Sequence, residues 1–169
     1  MPAVVWELDG RLLDVLSAMG VELERIEAGA YLVTLRGRRT TLVWLIAGEQ
    51  AVAVEAFVLH VVQCPDPGPL HRHLLSRNLR LRDVHYGLDE VGDVFLAGSV
   101  PHASVTPAGV DRLLGEVLAL MEDDADRLVA LAYGERLTDP ALRAKASADG
   151  AGRRPAGTPE WAPRRDARR

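Results

Sequence analysis

The chain has 169 residues, 48% of them hydrophobic and 26% charged, which is enough for one domain with a real core. Its net charge of -4 is unevenly placed: residues 141 to 169 hold eight basic groups against three acidic ones, so residues 1 to 140 carry -9. An acidic folded part excludes a nucleic-acid footprint there, since phosphate binding needs clustered positive charge, and the lone Cys64 excludes an internal disulfide or a Cys-type zinc site.

At the N-terminus Glu7 and Asp9 interrupt the short apolar run Ala3 to Trp6, so no export signal is read. No apolar stretch reaches the roughly 20 residues of a membrane span, and the cytoplasm is the expected compartment. Asp9 is placed to cap a helix from about Gly10 to Met19, with Leu12, Leu13, Leu16 and Met19 on one face and Gly20 ending it. Val21 to Glu27 alternates apolar and charged residues and offers a short strand. Three stronger runs follow, Tyr31 to Arg36, Thr40 to Ile46 and Ala51 to Val62, separated by glycine-containing turns as in an antiparallel meander. Val43 to Ile46 and Ala56 to Leu59 are apolar on both faces, which requires cover on both sides or a partner surface.

The stiff loop from Cys64 to Pro69 ends strand pairing. Leu70, Leu74, Leu75 and Leu79 then form one stripe of a short helix, and the cationic residues Arg77, Arg80 and Arg82 suit its C-terminal dipole. Val84 to Leu88 and Val94 to Val100 read as two strands around Asp89-Glu90-Val91-Gly92-Asp93. The three carboxylates there lack the ligand series of a calcium loop, so the segment is a hairpin turn with Gly92 at positive φ and polar neighbours facing water. Thr106 and Pro107 start a last helix with Val110, Leu114, Val117, Met121, Ala125, Leu128 and Ala132 on its core stripe. Glu122, Asp123, Asp124 and Asp126 read as its solvated face. Residues 141 to 169, rich in Arg, Ala, Gly and Pro, predict a disordered basic tail after a domain spanning 1 to 140, and nucleic acid could bind only through that tail.

The order helix, three strands, helix, two strands, helix, with the blocks Val54–Val58, Leu74–Arg80, Leu88–Gly98 and Val105–Gly115, resembles the bacterial YbjN-domain family. That family is similar in fold to class I type III secretion chaperones. The resemblance implies a compact α+β fold, an antiparallel sheet packed by helices, forming a homodimer that offers apolar grooves to a protein or peptide partner. It supplies no biochemical activity, and the chain departs from the family pattern in the loop Pro65–Pro69 and after the last helix.

The expected function is therefore a non-catalytic, chaperone-like binding module with no cofactor, no metal and no membrane role. Its partner groove is expected around Trp44, Phe57, Val58, Leu74 and Tyr86. The competing reading is a small enzyme in which Cys64 pairs with a nearby histidine, His71 or His73 across the Pro-rich loop, while His60, His85 and His102 are scattered over strands and loops. His71 and His73 are two apart on a helix and cannot share a metal as an i, i+4 pair would. Each histidine is read as solvated or packed.

Overall fold

The computed structural model describes residues 3–61, 64 and 66–134, so the expected boundary at 140 and the tail from 141 lie outside the described residues. The elements run α1 (Ala3–Met19), β1 (Glu22–Glu27), β2 (Ala30–Arg36), β3 (Thr40–Ala47), β4 (Ala51–Leu59), α2 (Gly68–Asn78), β5 (Val84–Leu88), β6 (Val94–Pro101) and α3 (Pro107–Tyr133), with a single 3-10 turn before α3. This is the α+β order read from the sequence, with β1 as the extra strand. All six strands form one antiparallel sheet in the order β1-β2-β3-β4-β6-β5. After β4 the chain crosses through α2, enters the far edge as β5, and returns as β6 to close against β4.

The pleat sends alternate residues to opposite faces. Val33, Val43, Ala56, Leu96 and Tyr86 lie in one cross-strand row on the helix-covered face, and all are buried. Against them pack Leu8, Leu12 and Leu16 of α1, Leu70 and Leu74 of α2, and Val110, Leu113, Val117, Leu120 and Leu128 of α3. Each fully buried leucine here contributes about 1.5–3 kcal/mol. α3 begins as its sequence dictates: the Thr106 hydroxyl accepts from the Gly109 amide at 3.1 Å, and a proline opens the first turn.

Gly20 at φ 66° and Gly92 at φ 90° occupy the left-handed conformation that ends α1 and tightens the β5–β6 turn.

Three sequence expectations are corrected. Asp9 is not a cap: α1 starts at Ala3, and Asp9 lies inside it, buried, because its carboxylate closes a network with the first two strands. The acidic run on α3 is not uniformly solvated, because Asp124 is buried beneath α2. Leu70, Leu74, Leu75 and Leu79 do not share a fate: the first two are buried, while Leu75 and Leu79 are 69% and 88% exposed. The four positions advance too far around the helix for one core stripe, since i and i+4 align but i+5 and i+9 do not.

Candidate functional site: surfaces and buried polar corners

The residues expected to frame a groove separate by depth. Trp44, Leu74 and Tyr86 are buried, Leu74 and Tyr86 in the main core and Trp44 on the opposite face of the sheet. Leu74 and Tyr86 point into the core between sheet and helices, whereas the pleat turns Trp44 away from the helices. Phe57 and Val58 are half-buried, at a register shift where β4 bulges against β6. Phe57 meets Phe95 edge-on, with ring centroids 5.4 Å apart, and packs against His60 at 4.7 Å.

The exposed apolar surface lies instead on α2. Leu75 and Leu79, four residues apart and so on one side of the helix, combine with Arg72 and Ser76 to line an open groove of about 550 Å³. The neighbouring edge strand β5 is not open for pairing at its centre. The Asn78 side chain accepts from the Tyr86 amide at 2.7 Å and donates to the Tyr86 carbonyl at 2.9 Å, filling the place a new strand would take. What this end of the molecule offers is a helix face rather than a strand edge.

α2 is held in place from beneath. Arg77 Nε donates to Asp124 Oδ2 at 2.7 Å, and the Tyr86 hydroxyl donates to the same oxygen at 2.9 Å. Burial, then the Asp124 charge, pushes the Tyr86 phenol well above its ordinary value, so it stays a donor. The cation expected to serve the helix dipole thus carries a second bond that joins α2 to α3. His73, on the same helix, has its pKa lowered by burial first and by Arg127 next.

The turn residue Asp93 is fully buried rather than facing water. Its Oδ2 lies 2.6 Å from His60 Nδ1, and its Oδ1 accepts from the Val61 amide at 3.0 Å. Gly92 frees the backbone for the turn, and the turn aims Asp93 inward at the end of β4; the D-E-V-G-D pattern alone carried no signal of this. The Tyr133 hydroxyl donates to the His60 carbonyl, tying the end of α3 to the same corner.

For the enzyme reading, Cys64 is half-buried and free, and it belongs to the rim of the core. His60 Nδ1 faces Asp93, and His60 Nε2 and His73 Nε2 are both buried without a hydrogen-bond partner, so neither nitrogen is paired with the thiol. His71 and His73 do not converge on a third ligand, and no group of three metal-ligating side chains occurs among the described residues. No described helix is long and apolar enough to cross a membrane.

The comparisons follow the fold. The YbjN family, described as "Putative bacterial sensory transduction regulator", matches residues 9–130. The uncharacterized protein ML2442 of Mycobacterium leprae is 44% identical over 93 residues, covering 53% of this chain and 48% of that one. The uncharacterized protein Rv0487 of Mycobacterium tuberculosis is 40% identical over 108 residues, covering 62% and 57%. The chain thus spans about half the length of the curated relatives it matches.

Among solved structures, the crystal structure of the ExsC–ExsE complex superposes with TM-score 0.55 at 22% identity, over 76% of this chain and 97% of that one. The HopA1–SchA chaperone–effector complex superposes with TM-score 0.54 at 16% identity, over 72% and 95%. The Yersinia pestis type III secretion chaperone SycH, in complex with a fragment of YscM2, gives TM-score 0.48 at 15% identity, over 73% and 98%.

Proposed function

The chain belongs to the YbjN family, and from that premise we propose that it is a non-catalytic, chaperone-like binding module that works as a homodimer and holds a protein or peptide client. The observation that carries this reading is the apolar outer side of α2. Leu75 and Leu79 give up their burial inside the chain, while Asn78 blocks the adjacent strand edge. Exposed leucines in one patch mark association surfaces. An isologous pairing through α2 would cover both on each copy.

The half-buried Phe57 and Val58 at the end of β4 are the client contacts, with Leu74 and Tyr86 packed in the main core and Trp44 on the opposite face of the sheet. The fold shared with a chaperone solved with its effector supports a protein as the client class.

The test compares the wild-type chain with Leu79→Glu by light scattering and by co-purification from the native cell. The wild type should run at twice the 18.4 kDa chain mass and retain a co-purifying client. The variant should run at the single-chain mass with an unchanged far-ultraviolet circular dichroism spectrum, since an exposed substitution costs the single chain about 0.5 kcal/mol or less. A monomeric wild type at tens-of-micromolar concentration would remove the dimer, and the absence of any client would remove the binding module.

A further inference from the structure

From Pro67 to Arg82 the chain holds four arginines and no carboxylate, although residues 1–134 carry -8 overall. Three of the four, Arg72, Arg80 and Arg82, are exposed, and no ion pair holds them among the described residues. Arg77 alone is neutralised, by Asp124 beneath the helix. Arg72, Leu75, Ser76 and Leu79 stand at i, i+3, i+4 and i+7 on α2, so one side of the helix presents two exposed leucines behind a cation, and Arg80 and Arg82 follow past its end. The open groove on this side is therefore apolar in its middle and positive at both ends. The helix dipole accounts for cations at the last turn but not for Arg72 at mid-helix.

An isologous pairing sets this face against itself. Leucine then meets leucine, but cation also meets cation, with no carboxylate in the segment to separate them. We propose that α2 is an exchangeable site, at which an acidic amphipathic helix of a second protein, distinct from the client, displaces the partner copy and separates the homodimer. This rests on the α2-paired homodimer proposed above and adds its regulation. A helix with leucine-type side chains on one side and carboxylates along the rim matches both the apolar and the cationic parts of the face, whereas a second copy matches only the apolar part.

The occupant is a helix because Asn78 holds both the amide and the carbonyl of Tyr86, which leaves no ladder for an added strand at the centre of β5. A protein fits this face better than an anionic lipid surface does. Two leucines on an 11-residue helix without tryptophan, phenylalanine or lysine give little to insert among acyl chains.

The test uses the full chain and, as probe, a dye-labelled synthetic helix of about 18 residues with leucines at i, i+3, i+4 and i+7 and glutamates along its rim. A control peptide carries lysine in place of each glutamate. Fluorescence anisotropy reads binding, and light scattering reads mass. The glutamate peptide should bind and bring the mass from two chains down to one chain plus one peptide, and the lysine peptide should bind at least about tenfold more weakly. Raising salt from about 0.05 M to about 0.5 M should tighten the homodimer and loosen the peptide, because screening removes repulsion from one and attraction from the other. Arg72→Gln combined with Arg80→Gln should shift the two affinities in the same opposite directions at fixed salt, and Leu79→Glu should lose both contacts. Equal binding of the two peptides, a complex that keeps two copies of the chain, or binding to phosphatidylglycerol vesicles without binding to the peptide would overturn the proposal. A dimer that ignores the glutamate peptide removes the exchange and leaves the homodimer standing. A chain that is already single before peptide is added removes the homodimer and the exchange together.

Discussion

Two corners of the molecule use the same three side-chain types for different ends. At one, Asp9 of α1 accepts from Arg25 Nη2 at 2.6 Å, from the Gly29 amide at 3.1 Å and from the Tyr31 hydroxyl. At the other, Asp124 of α3 accepts from Arg77 and from the Tyr86 hydroxyl. Both tyrosines stand on the helix-covered face of the sheet, and burial raises both phenols so that they stay protonated donors. The first corner lies within 22 positions of sequence and fastens α1 to the first hairpin. The second spans 47 and 38 positions and fastens α2, the helix with the exposed leucines, to α3 and β5. One corner closes the fold; the other aims a surface.

The largest effect expected from that contrast is at Asp9. Asp9→Ala leaves the buried Tyr31 hydroxyl and the Gly29 amide without their acceptor, while Arg25, 43% exposed at its side chain, can return to water. Two stranded buried donors cost about 1–3 kcal/mol each, so urea unfolding should show a loss of about 3 kcal/mol. The mass of the native protein should not change. A loss under about 1 kcal/mol would mean that this corner is not the clamp its geometry describes.

Asp124→Ala should cost less, about 2 kcal/mol, since it strands one buried phenol and an Arg77 that is 30% exposed. Its distinctive signature is elsewhere: freed from α3, α2 should lose its fixed presentation of Leu75 and Leu79, and the proposed homodimer should dissociate at higher protein concentration than that of the wild type. Equal dimer stability in the Asp9 and Asp124 variants would erase the distinction between the corners.

These corners mark where sequence reasoning stops. The meander, the β5–β6 hairpin and α3 were legible because period-two runs, Gly92, Thr106 and Pro107 are local signals whose cause and consequence lie within a few residues. Asp9 and Asp124 look from the sequence like a cap and a solvated acid, because their partners lie in other elements and only tertiary contact reveals them. For the same reason a stripe of four leucines on α2 hid two opposite environments. Trp44 and Tyr86 were both expected to frame a partner groove; both are buried, one on each face of the sheet, and an apolar run does not say which face each residue takes. Leu79 as a surface residue was within reach of a stricter helical wheel, since Leu70 and Leu79 are nine positions, or 180°, apart.

The smallest effect separates the corners by pH. Around Asp124 sits His73, whose pKa burial lowers, with Arg127 and Arg77 adding to the shift and Asp124 opposing it. The ionisable partners bonded or stacked at Asp9 are Arg25 and Tyr31, neither of which titrates near neutrality. A folded-state pKa below the unfolded one, near 6.5, means that the unfolded chain takes up the His73 proton first as pH falls.

Stability from this histidine is therefore present above about pH 6.5 and drains as pH falls from there through the lower folded value. Unfolding midpoints of the wild type and His73→Gln, measured from about pH 8 to about pH 5.5, should converge on acidification or cross in favour of the variant, because glutamine carries no proton to gain. Carboxylate protonation acts on both proteins and cancels in their difference. A difference that stays constant across this range would show that the α2 corner holds His73 without distinguishing its charge states, and pH would then bear on the two corners alike.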